Sequence, residues 1–124
     1  MKRLYGFRGA TGTENTTESI IENTCAMCRT LFAENAIQSD DIVSIQFTLT
    51  PDVTACNPAA ALRKGNAGID VSRCALFTAL EPVVENSLPY MIRVLFTAYA
   101  EEGHVVQPVY RNGAERLRPD FVKK

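Results

Sequence analysis

The chain has 124 residues, 46% of them hydrophobic and 22% charged, with a formal net charge of −1. That size suits one domain with a real core, taken as a single unit over 1–124. The charge balance supplies no basic field for nucleic acid, and no window reaches the apolar length of a membrane span, so neither partner is expected.

The start, Met1-Lys2-Arg3-Leu4-Tyr5-Gly6, lacks the apolar core of a signal peptide, and a cytoplasmic location is the expectation. Residues 3–10 read as a first strand carrying Leu4, Tyr5 and Phe7 and interrupted by Gly6 and Gly9, with Arg8 at its end. Asn15 with Glu18 suggests a capping box. A helix follows over 16–35, with Ile20/Ile21, Thr24, Met27/Cys28 and Leu31/Phe32 at helical spacing and Asn35 as its stop. Four cysteines are present, Cys25, Cys28, Cys56 and Cys74. The Cys25-x-x-Cys28 pair falls inside this helix. No second close Cys or Cys/His pair completes a zinc site, and a redox pair belongs at a helix start. Core packing is the expected role, and no metal is expected.

Residues 38–41 form a turn, and 43–50 alternate as a half-buried strand ended by Pro51. Asn57-Pro58 starts a short helix stopped by Gly65, with Asn as cap and Pro at the first helical position. Ala59, Ala60 and Ala61 allow a close approach, and Arg63 sits favourably near the helix C-terminus. Cys74-Ala75-Leu76-Phe77-Thr78 reads as a short buried strand, and 81–89 as an irregular connection. Residues 90–99 are the most strand-like run, with Ile92, Val94, Phe96 and Ala98 on one face and Arg93 on the other. His104 falls in a polar turn and is expected to be solvated. Residues 105–110 read as a last strand, held to an edge by Pro108. Asn112-Gly113 is a turn, and the tail runs over 117–124. The order implies an α+β fold: one mixed sheet of about five strands with a long helix and a short helix.

Arg93 cannot shed its proton, so it needs a partner. That partner is either a nearby carboxylate such as Glu81 or an anionic ligand. The candidate site residues are arginines (Arg8, Arg63, Arg93, Arg118), a carboxylate (Glu81), a hydroxyl (Thr78) and a phenol (Tyr110). A nucleophile–base pair, a metal cage and a phosphate-binding glycine loop are missing. Arginine matches carboxylates bidentately, so the set points to a small polycarboxylate. An enzyme of this kind works by positioning and electrostatics.

Several stretches then fall in order: Phe7-Arg8-Gly9-Ala10-Thr11, Thr50-Pro51-Asp52, Pro58-Ala59 with Arg63, Glu81 followed by Ile92-Arg93-Val94, Val109-Tyr110 and Leu117-Arg118-Pro119-Asp120. Together they resemble the AroH-type monofunctional chorismate mutases over nearly the whole chain. The resemblance implies a pseudo-α/β-barrel homotrimer with active sites in clefts between subunits. It implies the Claisen rearrangement of chorismate to prephenate, in phenylalanine and tyrosine biosynthesis, with no cofactor. By match to the family, Arg93 meets the ether oxygen, Arg8 and Tyr110 hold carboxylate, and Glu81 accepts from the substrate hydroxyl. Thr78 stands where the family has a cysteine that contacts this hydroxyl. Arg63 would reach a neighbour's site, Leu117 and Arg118 would close over the site, and Asn57, Ala59, Ala60 and Phe77 would line the substrate wall.

The family often has an aromatic residue at the place of Asn57 and a lysine at the place of Ala60. Here this wall is smaller and less basic. The loop over 65–73 is also longer than usual. Plainer roles remain open for each residue: a Glu81–Arg93 ion pair, a solvated Arg8, an edge Tyr110, a strand Thr78, a surface Arg118. Two rival functions also stand beside the mutase. One is a trimeric deaminase of enamines and imines, and the other is a non-catalytic carboxylate-binding regulatory trimer.

Overall fold

A computed structural model describes residues 1–121; the end of the expected tail, 122–124, lies outside the described residues. The elements run β1 (Lys2–Gly12), α1 (Thr17–Glu34), β2 (Ile42–Leu49), α2 (Pro58–Lys64), β3 (Ala75–Leu80), β4 (Met91–Glu101) and β5 (Val109–Arg111). Single 3-10 turns occur at Ser39–Asp41, Ala114–Leu117 and Pro119–Phe121. The strands form one mixed sheet in the order β3-β2-β4-β1-β5, with β4 antiparallel to both neighbours and β3 and β5 joined in parallel at the edges.

The expected alternation in β4 governs the layering. Ile92, Val94, Phe96 and Ala98 are buried, and Phe96 stacks on Phe7 of β1 at 4.8 Å while Phe32 of α1 meets it edge-on at 5.3 Å. These pairs add directional contact to the burial that drives α1 onto the sheet. Cys25 and Cys28 are free thiols buried in this core, and burial pushes the Cys28 thiol well above its ordinary value. Such thiols pack and do not react.

Several elements differ from expectation. The glycines do not interrupt β1, which is continuous. A Cβ at Gly9 would come 2.9 Å from the Val109 carbonyl oxygen and 3.0 Å from Leu31 Cδ1, so the missing side chain admits both β5 and α1. The cap of α1 is Thr16, whose hydroxyl accepts from the Ser19 N–H at 3.1 Å. Asn15 instead accepts from the N–H groups of Thr54 and Ala55 and ties down the loop before α2. The cap of α2 is Asn57, as expected, accepting from the Ala59 N–H at 2.9 Å.

β3 is not buried: it is an edge strand, and Phe77 and Leu80 are 62% and 65% exposed. β5 starts only at Val109, because the Gln107 N–H is taken by the Asn35 side chain at 2.8 Å and Pro108 has no N–H to offer. His104 is half-buried, with Nε2 2.9 Å from Asn35 Oδ1 and its ring 6.0 Å from those of Tyr5 and Phe7. Gly103, at φ 88°, supplies the left-handed turn that folds it back onto β1. Among the described residues, no helix is long and apolar enough to cross a membrane.

An ion pair fastens the start of β1 to the 3-10 turn, Lys2 Nζ to Asp41 Oδ1 at 2.7 Å. The Lys2 ammonium holds the Asp41 carboxyl below its ordinary 3.8. A depressed acid contributes stability above its unfolded value and loses it as pH falls through the folded value. Lys2→Gln should therefore lower the melting temperature at pH 6, and the difference from wild type should shrink as pH falls and Asp41 takes up its proton. A difference unchanged across that range would show that the pair does not carry the effect.

Candidate active site

Strand register assembles the site on the sheet face opposite the helices. Thr48 of β2 lies across from Arg93 of β4, Arg93 across from Ala10 of β1, and Ala10 across from Tyr110 of β5. The adjoining row joins Gln46, Leu95 and Arg8. Cross-strand partners share a face, so four strands aim these side chains into one space. Glu81 follows β3 directly. Its N–H donates to the Leu49 carbonyl at 2.9 Å, which continues the parallel ladder by one residue and brings the carboxylate over Thr48.

The tail closes the far side. Asn112 and Gly113 adopt φ 53° and 97°, and the Asn112 amide donates to the Gly12 carbonyl at 3.0 Å. This turn drops Ala114 against Ala10 and Met91, with Tyr110 and Leu117 packed on the same small cluster. Leu117 and Arg118 thereby face the sheet. On the other side of β5, Arg111 donates to Asn23 Oδ1 at 2.7 Å and Thr11 Oγ1 at 2.9 Å, locking the strand to α1 and β1.

The result is an open cleft of about 640 Å³ lined by Arg8, Gln46, Thr48, Glu81, Arg93, Tyr110, Leu117 and Arg118. Arg93 Nε lies 3.1 Å from Glu81 Oε1, with the arginine side chain 50% exposed and the glutamate 16%. Thr48 donates its hydroxyl proton to the same Oε1. Among the described residues, the terminal Nη atoms of Arg93 and the second oxygen of Glu81 make no hydrogen bond to another protein group. Arg118 grips Asp120 with two contacts, Nε–Oδ1 at 3.1 Å and Nη2–Oδ2 at 2.8 Å. Its guanidinium holds the Asp120 carboxyl below the ordinary value, and the charge of Arg8 acts in the same direction. Arg8 and Arg118 thus bear on one anion, the arrangement a ligand carboxylate would meet.

Of the residues expected from sequence, the fold brings Arg8, Glu81, Arg93, Tyr110, Leu117 and Arg118 to one cleft. It does not bring the others there. Thr78 pairs with Phe47, a core residue, so it faces the helical side, where its hydroxyl donates to Asn57 Oδ1 at 2.7 Å. Ala59 is buried, Ala60 half-buried and Arg63 exposed on α2, and Phe77 stands exposed on the outer strand. Within one chain Thr78, Asn57, Ala59, Ala60 and Arg63 form a second group around α2, whereas Phe77, opposite Gln46, lies on the cleft face but outside the cleft lining.

Gln46 and Thr48 were not foreseen. The alternation over 43–50 did mark them as sharing a face, but a polar face on a strand reads as solvent. Only its register with Arg93 makes it part of a site. Among the described residues, no group of His, Cys, Asp and Glu could hold a metal.

The comparisons agree with this geometry. The family profile described as chorismate mutase type I matches residues 4–121. The chain is 38% identical to the chorismate mutase AroH of Thermus thermophilus over 95% of its own length and 96% of that protein. It is 31% identical to the chorismate mutase AroH of Bacillus subtilis (strain 168), over 95% of this chain and 92% of the other. Among solved structures, a chorismate mutase from Clostridium thermocellum, Cth-682, superposes with a TM-score of 0.82 at 33% identity, covering 90% of this chain and 98% of that one. The match takes in both the cleft strands and the helical layer, and it decides against the deaminase reading: the chain belongs to the type I chorismate mutase family.

Proposed function

We propose that the protein is a chorismate mutase, converting chorismate to prephenate at a site completed by a neighbouring subunit of a homotrimer. The observation that carries this reading is Arg93. It is fixed at Nε by Glu81, with its outer nitrogens open to a cleft that holds two further arginines.

The chemistry needs little else. Within one dianionic molecule an ether C–O bond breaks and a C–C bond forms, so no proton or electron crosses to the protein. Breaking leads forming, and negative charge builds on the ether oxygen. A fixed guanidinium there stabilises the transition state more than the ground state. Arg8, Tyr110 and Arg118 hold the carboxylates, which favours a compact chair over extended conformers. The substrate carboxylate takes the place of Asp120 on Arg118. Glu81 Oε2 accepts from the substrate hydroxyl. No cofactor is called for, and the product feeds phenylalanine and tyrosine biosynthesis.

Two observations support the trimer. The α2–β3 group, with Arg63, Thr78, Asn57, Ala59 and Ala60, stands apart from the cleft in its own chain, so a second subunit can supply it. The outer strand β3 also has the composition of a buried strand yet exposes Phe77 and Leu80, as a subunit contact would require. Four free cysteines suit the reducing cytoplasm.

Mixed oligomers test the shared site. Arg93→Ala and Arg63→Ala chains should each be poorly active alone. Refolded together, they should regain about a quarter of wild-type sites, where an intact cleft meets an intact α2. No recovery, or full activity from a monomer, would overturn the shared site. Light scattering of the wild type should give three times the chain mass.

A further inference from the structure

The geometry points to Thr48 as a positioning residue that divides the work of Glu81 between Arg93 and the substrate. The inference rests on the chorismate mutase reading and deepens it.

In that reading Glu81 has two tasks that compete. It must pair with Arg93, and it must accept from the substrate hydroxyl. A carboxylate has lone pairs enough for both, but its terminal torsion is soft, and either oxygen can turn to either task. A guanidinium facing a free carboxylate prefers the two-pronged contact, with Nε and one Nη each on an oxygen. That contact would spend the second oxygen of Glu81 and draw one Nη of Arg93 away from the ether oxygen.

The structure shows the other arrangement. Thr48 Oγ1 donates to Oε1, the same atom that faces Arg93 Nε at 3.1 Å. Both protein contacts converge on one oxygen. Oε2 is left for the hydroxyl, and the Nη atoms of Arg93 are left for the ether oxygen.

Thr48 is well placed to impose this. It lies on β2, between β3, which delivers Glu81, and β4, which delivers Arg93, and it is the direct cross-strand partner of Arg93. Its branched Cβ has few rotamers, so the hydroxyl direction is set by the sheet. Glu81 itself stands one residue beyond an edge strand; its backbone is held by the Leu49 carbonyl, and its side chain is oriented through Thr48 and Arg93. Thr48 touches neither the breaking nor the forming bond. It acts through the carboxylate.

The test is a double-mutant cycle on chorismate turnover, with Thr48→Val, Thr48→Ser and Glu81→Ala. Valine keeps the shape and loses the proton. Thr48→Val should lower kcat about tenfold or more while KM moves less than about threefold, the scale of one hydrogen bond to a charged group. Thr48→Ser, which can still donate, should return kcat to within about threefold of wild type. In the Glu81→Ala background Thr48→Val should change kcat by less than about twofold, since its target is gone. A Thr48→Val enzyme with wild-type kcat would overturn the inference. So would an equal loss with and without Glu81, or failure of serine to rescue. If Thr48→Val does not fold, the serine rescue and Thr48→Ala in both backgrounds decide the same question. Absence of turnover in the wild type is a different result, which removes the chorismate mutase reading and this inference with it.

Discussion

Arg93→Ala should lose about 3 kcal/mol of transition-state stabilisation, more than a hundredfold in kcat. The expectation follows from geometry as well as charge. Arg93 rises from a central strand, its Nε is held by Glu81, and its outer nitrogens face the cleft. In the proposed reaction the cation is therefore in place before the ether oxygen becomes negative, and no reorganisation is needed at that moment. Removing it also leaves Glu81 without its counter-charge, so KM for a dianion should rise. Arg93→Lys should fail nearly as badly. One ammonium on a flexible stem must choose between Glu81 and the substrate, whereas the guanidinium serves both from different edges. The melting temperature should change little, because the side chain is half exposed. Near-wild-type turnover in Arg93→Ala would show that this arginine is not the cation at the reacting oxygen.

The second large effect is on stability and falls at Asn35. Its side chain is buried at 2% exposure. The amide nitrogen donates to the Leu31 and Gln107 carbonyls, both at 2.9 Å. Its oxygen accepts from the Gln107 N–H at 2.8 Å and meets His104 Nε2 at 2.9 Å. One amide thus closes the end of α1 and pins the segment that leads into β5. Asn35→Ala would strand several of these groups, and about 3 kcal/mol of folding free energy should be lost. Asn35→Asp should fare no better, because a carboxylate offers nothing to the two carbonyls that the amide now feeds. Since the segment delivers Tyr110, KM should rise in the folded fraction. Chemical denaturation of Asn35→Ala gives the check; a loss under about 0.5 kcal/mol would mean that water replaces the amide without penalty.

Much of this was legible in the chain itself. The alternation of β4, the 3.6-residue stripe of α1 and the Asn57-Pro58 start of α2 are local patterns, and each appears where expected. Asn35 was legible only as a helix stop, because its partners beyond α1, His104 and Gln107, lie some seventy positions away in sequence. His104 looked solvated for the same reason. The composition of β3 correctly marked apolar surface but could not say whether its own chain or another covers it. Arg8, Glu81, Arg93 and Tyr110 could be listed from the sequence through their resemblance to a family. Their convergence, however, depends on the order β3-β2-β4-β1-β5, which no local pattern carries. Thr48 shows the limit most clearly. A threonine on the polar face of a strand is unremarkable until register sets it opposite Arg93 and beneath Glu81.

The departures at Asn57 and Ala60 bear on affinity more than on chemistry. Neither side chain lies in the cleft of its own chain, and Asn57 is already committed to capping α2 and accepting from Thr78. In the proposed trimer Ala60→Lys should therefore lower KM for chorismate by adding a cation to the neighbouring subunit's wall, with kcat within about threefold of wild type. A fall in kcat with KM unchanged would mean that α2 does not face a substrate site.

The most direct measurement is turnover of chorismate by the purified wild-type protein, following loss of its diene absorbance and quantifying prephenate. The expected result is saturable conversion, one prephenate for each chorismate, with no added metal or cofactor. Chorismate that binds the protein and is recovered unchanged would contradict it, and would leave a regulatory carboxylate-binding protein in place of an enzyme.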